Sequence, residues 1–260
     1  MFNSIIKLVD HKDFIVTLSR REIISQYKQS ILGNLWIIIQ PLGLLVVMTV
    51  VFSLFVHLPS EGVPYAAFLF VVLLPWIFFN STVNSSSGII TGYAGLIRQR
   101  QFYRPALVFS KLLSAIVSFF LSLIGLIVVF LLYQVQPGLN AFFAIPIFII
   151  QVILMLGLML FLSASNAYIR DFGLVTPLVL RIGRYLSPVI YSYQTVPEKY
   201  QIYLAINPLT GIFDGYRKTL LHNQQPDWFL LLYSFIFSLV LLGIGWITFI
   251  KLENNFADVV

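Results

Sequence analysis

Composition, long charge-free runs and a one-sided distribution of Lys and Arg predict an all-α membrane protein with six transmembrane helices. Hydrophobic residues make up 59% of the 260-residue chain and charged residues only 10%. A soluble domain carries about 25% charged residues, so a soluble globular fold, a disordered chain and a nucleic-acid-binding domain are excluded. Cysteine is absent, which removes disulfides, thiolate metal sites and a Cys nucleophile. The net charge of +6 suits a protein whose cytoplasmic edge meets anionic lipid.

A spanning helix needs about 20 apolar residues. Residues 29–60 and 62–97 carry no Asp, Glu, Lys or Arg. They hold span one, Leu35–Val56, and span two, Pro64–Val83, with Pro75 as an expected kink. Residues 112–169 are also charge-free; as one helix they would run roughly 87 Å, too long for one crossing. The break falls at the turn of Gln134, Gln136, Pro137, Gly138 and Asn140. Spans three and four then run Pro105–Tyr133 and Ala141–Asn166. Span five is expected over Phe172–Tyr191 and span six over residues 228–250.

Lys and Arg set the orientation. Lys7, Lys12, Arg20, Arg21 and Lys28 precede span one. Arg98, Arg100, Arg104 and Lys111 flank the connection of spans two and three, Arg170 that of spans four and five, and Lys251 follows span six. Lys199, Arg217 and Lys218 lie on the other side, in one loop. Both termini are therefore expected in the cytoplasm. No apolar run precedes Leu35, so no signal peptide is expected. The organisation is a cytoplasmic amphipathic segment (1–34), a six-span domain (35–250) and a cytoplasmic tail (251–260).

In the first segment Ser19 and Glu22 match a capping box. Ile24, Tyr27, Ile31 and Leu32 then share one helical face, and Gly33 ends the helix. An interfacial helix on the cytoplasmic leaflet follows, either a lipid anchor or a gate that docks a partner. Residues 88–104 are longer than a plain connection needs and mix Tyr93, Leu96, Ile97, Phe102 and Tyr103 with three arginines. They read as a solvated basic loop or as a short helix presented to another protein. Gly88 and Gly92 make a GxxxG pair, a weak signal outside a clean span. In the external loop, residues 192–228, Asn207 and Pro208 read as N-cap and N1 of a helix. Ile212, Phe213, Tyr216 and Leu220 form its apolar face. A pair of interfacial or re-entrant half-helices is expected there.

All ten acidic residues lie outside the expected spans, which argues against an ion-coupled transporter. No phosphate-loop motif is present, so this chain is not expected to hydrolyse ATP. His11, His57 and His222 show no metal-ligand spacing. Arg181 and Arg184 lie i,i+3 within span five; they line a polar path or, if the span is displaced, snorkel to its edge. Trp36, Tyr65, Trp76, Phe78, Phe79, Tyr191 and Tyr193 cluster near span ends. They read as lipid-belt and packing residues or as rings that stack on sugars.

Four stretches resemble the transmembrane permease subunit of ABC-type polysaccharide exporters, the class that moves O-antigen, capsule and teichoic acid. They are Arg21–Trp36 (REIISQYKQSILGNLW), Leu74–Asn80 (LPWIFFN, leading to Leu96-Ile97-Arg98), Asn166–Phe172 (NAYIRDF) and Leu186–Tyr191 (LSPVIY, leading to VPEKY and Asn207-Pro208). Where family members often have a Phe-Pro-Arg-like stretch, this chain has Phe102-Tyr103-Arg104-Pro105. The resemblance implies a type-2 ABC exporter fold and a non-catalytic subunit of the bacterial inner membrane, one that binds no nucleic acid. It implies a homodimer enclosing a channel, joined by two copies of a nucleotide-binding ATPase subunit that holds ATP and Mg; this chain itself needs no cofactor. The implied substrate is a lipid-linked polysaccharide, O-antigen or lipopolysaccharide first, then capsule or teichoic acid. The implied roles are glycan channel for Trp76, Phe78, Phe79, Tyr191, Tyr193, Arg181 and Arg184; ATPase coupling for Tyr93, Leu96, Ile97, Arg98, Arg100, Phe102 and Arg104; and gate or lipid-phosphate contact for Arg20, Arg21, Tyr27 and Lys28. A lipid or drug exporter permease and a membrane glycosyltransferase are the competing readings.

Overall fold

The computed structural model describes residues 10–26, 30–99 and 103–259. Tyr27, Lys28, Arg100 and Phe102 lie outside the described residues. Helix α1, Lys12–Gln26, is followed by a 3-10 turn, Gly33–Leu35, that leads into α2, Trp36–Thr49, and a π-helical turn, Val50–Phe55. Gly33 turns the chain at φ +49°, a conformation glycine adopts without steric cost. Then come α3, Tyr65–Ser86; the short α4, Ile89–Gly92, and α5, Ala94–Gln99; α6, Pro105–Leu132; a 3-10 turn, Leu139–Phe143, and α7, Ala144–Tyr168; and α8, Asp171–Tyr185. The chain closes with α9, Glu198–Ala205, α10, Pro208–Leu220, α11, Trp228–Glu253, and α12, Phe256–Val259.

Among the described residues five helices are long and apolar enough to cross a membrane: Gly33–Phe55, Tyr65–Ser86, Pro105–Leu132, Leu139–Tyr168 and Trp228–Glu253. These match expected spans one to four and six within about three residues. The fifth differs. Its helix stops at Tyr185, after 15 residues, because Ser187, Pro188 and their neighbours turn the chain under α10. At 1.5 Å per residue that helix measures about 22 Å. It starts where Asn166 Oδ1 accepts the Gly173 N–H at 2.7 Å. The turn after it reaches Tyr65, at the other end of α3, whose hydroxyl donates to the Ile190 carbonyl.

α3 is the core. Every residue from Tyr65 to Trp76 is buried, so the helix is apolar all round, as a central helix must be. Phe78 stacks on Phe119 of α6 and on Phe148 of α7. Pro75 lies inside α3, and the Pro75 carbonyl accepts a bond from Gln151 Nε2 of α7 at 2.8 Å. Helices α7 and α11 approach each other closely at two glycines. A Cβ on Gly245 would stand 2.2 Å from the Gly157 carbonyl oxygen, and one on Gly157 would meet the Leu242 backbone at 2.7 Å. Only glycine permits that approach. By contrast, a Cβ on Gly92 meets nothing within 4 Å, so the Gly88–Gly92 pair is not a packing motif.

Two expectations for the N-terminal segment are corrected. Ser19 is not an N-cap: α1 begins at Lys12 and Ser19 lies in its interior. Its hydroxyl instead reaches Ile15 O and Ser110 O of α6. Nor does one helix carry Ile24 to Leu32 on a single face. Helix α1 ends at Gln26, Ile31 is fully exposed, and residues 30–32 are not helical.

Candidate functional site

At the basic end of the bundle, α1 lies along α6. Glu22 joins three elements: its carboxylate pairs with Lys111 Nζ of α6 and accepts from the Tyr93 hydroxyl, beyond α4, at 3.1 Å. Burial, reinforced by the Glu22 charge and hydrogen bond, pushes the Tyr93 phenol up to about 12. Tyr93 therefore stays neutral and keeps donating. Of the remaining residues expected in the coupling segment, Ile97 is buried, Leu96 and Arg104 are half-buried, and Arg98 is exposed. Ile97 thus packs inward rather than outward. Arg104 donates to the Glu253 carbonyl at the end of α11. Arg20 and Arg21 are exposed on α1.

The opposite end is organised by Arg217, a residue the charge count treats only as a loop cation. It is 2% exposed. Its guanidinium donates to the carbonyls of Pro188, Tyr191 and Val189 at 2.6–2.7 Å. It also stacks over Phe68 at 4.0 Å. With Tyr65 donating to the Ile190 carbonyl and Asn207 Nδ2 to the Leu186 carbonyl, the LSPVIY backbone is held almost carbonyl by carbonyl. Burial pulls Arg217 down to about 10, opposed by Glu61 and Asp214, so it remains a cation at neutral pH. Burial raises Asp214, and Lys218 Nζ at 2.7 Å opposes that shift. Ser192 donates to Glu61, and His222 Nε2 lies 3.0 Å from the same carboxylate. A signal for Arg217 was present in the sequence: Phe213, Tyr216, Arg217 and Leu220 share the helical spacing of the buried face.

Below this cluster α9 and α10 form a hairpin. Asn207 caps α10, its Oδ1 accepting from the Leu209 N–H at 3.0 Å, as the Asn-Pro pair predicts. The Pro208 carbonyl accepts from Ser234, two turns into α11, so the hairpin tip lies beside the interior of a candidate span. Tyr216 Oη meets Gln151 Oε1 at 3.1 Å, extending the polar chain to Pro75.

The expected channel residues do not all share one surface. Trp76, Phe78 and Phe79 are each about 95% buried. Trp76 packs against Phe79 and Phe213. Truncating Trp76 would leave a cavity costing about 3–5 kcal/mol, so a transport defect in that variant would not reveal a glycan contact. Tyr191 and Tyr193 are half-buried at the Arg217 end. Arg184 is half-buried beside Met48 of α2. Arg181 is exposed; Leu174, Leu178 and Tyr185 share its helical spacing and are 54–77% exposed.

The ABC-2 type transporter family profile matches residues 14–221. The O-antigen export system permease protein RfbA of Klebsiella pneumoniae is 27% identical over 249 residues, 95% of each chain. The Myxococcus xanthus protein of that name is 25% identical over 260 residues, 99% of each chain. The polysialic acid transport protein KpsM of Escherichia coli is 25% identical over 239 residues, 89% of this chain and 90% of its own.

Proposed function

This chain belongs to the ABC-2 type transporter family, and on that premise we propose that it is the permease subunit of an ATP-driven polysaccharide exporter, with O-antigen as its cargo. The observation that carries the reading is likeness over nearly the whole length to O-antigen export permeases, 95% or more of both chains. Capsule polysaccharide is the alternative cargo, favoured by the shorter match to the polysialic acid transport protein.

Two copies of this chain enclose the path, and two copies of a separate ATPase drive it. The exposed face of α8 supports the pairing. An arginine facing lipid is costly, by about 2.5 kcal/mol at the bilayer centre, so a face bearing Arg181, one turn before the end of α8, is better placed against a second copy or an aqueous path. The chain crosses the inner membrane six times, α8 and its terminal turn serving as the fifth crossing, with both termini in the cytoplasm. Support comes from α8 running between the two ends of α3 and from the cations gathered at the α1 end. α9 and α10 are a re-entrant hairpin on the external side. Helix α1 is the gate, and residues 88–104 receive the ATPase. Glu22 supports that coupling because it ties α1 to Tyr93 of the receiving segment. The substrate is lipid-linked, and its phosphate meets Arg20 and Arg21; their exposure on α1 supports this role.

The test is co-purification of tagged protein with the ATPase encoded beside it, then ATPase assay in lipid nanodiscs. A two-plus-two complex that hydrolyses ATP and exports lipid-linked glycan is expected. A chain that purifies alone, without an ATPase partner, overturns the reading.

A further inference from the structure

At the α1 end of the bundle the chain turns back on itself after α11. Asn254 and Asn255 make the turn, as short polar side chains do. The short α12 then lays Phe256 back against α11. Phe256 is fully buried, and its ring meets Phe249 edge-on at 5.4 Å and the Tyr168 ring of α7 at 6.3 Å. The last carbonyls of a helix lack the i+4 donors that serve the rest. In α11 two of them take donors from other elements. The Tyr168 hydroxyl donates to the Leu252 carbonyl at 2.9 Å, and the Arg104 guanidinium donates to the Glu253 carbonyl.

These ties fall on the segment assigned to ATPase coupling. Arg104 ends that segment. Its middle, α5, has six residues, less than two turns and too few to hold a helix alone in water. It needs a support. Helix α5 packs on α12, and Ile97 is its buried side chain. Helix α11 carries the tie onward. Its 26 residues measure about 39 Å. Gly245 seats it on Gly157 of α7. Towards its other end Ser234 donates to the Pro208 carbonyl, at the tip of the α9–α10 hairpin, at 2.6 Å. Close-packed interiors are stiff and transmit strain.

We propose that the turn after α11 is the joint through which the ATPase stroke passes from residues 88–104 into α11 and on to the hairpin at the opposite end. Phe256 is its positioning residue. It touches neither ATP nor cargo and acts by holding α12, and with it α5, against α11. The role rests on the reading that residues 88–104 receive the ATPase. It gives that segment a second output, separate from the Glu22 tie to α1.

The complex of the full chain with its ATPase is reconstituted in lipid vesicles. ATP hydrolysis and export of lipid-linked O-antigen are measured on the same preparation. The readout is glycan exported per ATP hydrolysed, a ratio that a smaller amount of folded complex leaves unchanged. Phe256→Ala is expected to keep the ATPase bound and the KM for ATP within about two-fold, and to lower the ratio roughly five-fold. Phe256→Leu, which refills much of the space, is expected to recover most of that loss. Tyr168→Phe keeps its ring against Phe256 and removes the bond to Leu252; the ratio is expected to fall about two-fold. An unchanged ratio in Phe256→Ala overturns the proposal, as does a leucine variant as uncoupled as the alanine one. If Phe256→Ala fails to fold, an unchanged ratio in Tyr168→Phe overturns it instead. A wild-type chain that binds no ATPase overturns the export reading and this role together. A coupled wild type whose variants keep its ratio overturns this role alone.

Discussion

Arg217 shows how one buried side chain organises a loop. Its three bonds go to carbonyls that no helix satisfies, and a buried carbonyl without a donor is costly. Arg217→Met keeps the bulk and removes the donors. It is expected to destabilise the protein by roughly 3 kcal/mol or more, read as a lower Tm in detergent. Arg217→Lys is expected to recover little, because an ammonium lacks the planar fork that spans the Pro188, Val189 and Tyr191 carbonyls. Tyr93 gives a pH signature. Its folded value, about 12, lies above its ordinary 10.0, so the fold favours the protonated phenol. The sign follows: this contribution is complete below pH 10 and is lost as pH rises through about 12. Limited proteolysis of α1 is expected to accelerate over that interval in the native protein. In Tyr93→Phe that step is expected to vanish, and α1 to be cut faster already at pH 8.

Helix packing here depends on small residues more than on apolar area, because lipid is as apolar as leucine. The α7–α11 contact tests this. Gly245→Val is expected to cost roughly 1–3 kcal/mol by forcing backbones apart, with a lower Tm and loss of monodispersity on size exclusion. Gly243→Ala, where an added Cβ meets nothing within 4 Å, is expected to change stability by less than about 0.5 kcal/mol. Equal effects would mean that the two helices are not held by the glycine contact. The same reasoning explains why Gly88 and Gly92, at GxxxG spacing, make no close helix contact: among the described residues an added Cβ meets only the Ser85 carbonyl, at 3.9 Å from Gly88. Helix α1 makes the converse point. Ser19 and Glu22 look like a cap in sequence, yet both serve tertiary contacts, with Ser110, Lys111 and Tyr93.

For the whole molecule, α8 is the exposed flank. Only Thr176 and Leu180 of its fifteen residues are buried. In the cysteine-free chain, Leu178→Cys is expected to form a disulfide-linked dimer under mild oxidation in membranes, seen as a doubled mass on a non-reducing gel. Phe229→Cys, 80% exposed on α11, is expected to remain monomeric. A dimer through Phe229 and none through Leu178 would move the paired face from α8 to α11.

The long spans, their ends and the break at Pro137-Gly138 were legible in the sequence because each depends on local chemistry alone: an apolar run long enough to span, a cation at its edge, a residue that turns the chain. The same holds for Asn207-Pro208, where cap and helix start are adjacent in sequence. The burial of Arg217, the length of α8, the Gly157–Gly245 contact and the serine-lined pocket between α3 and α6 were not. Each arises where segments far apart in sequence meet, and the tertiary structure decided them because a buried polar or small residue takes its role from its neighbour. Seryl hydroxyls in a span read as neutral filler until two helices, α3 and α6, bring them to one wall.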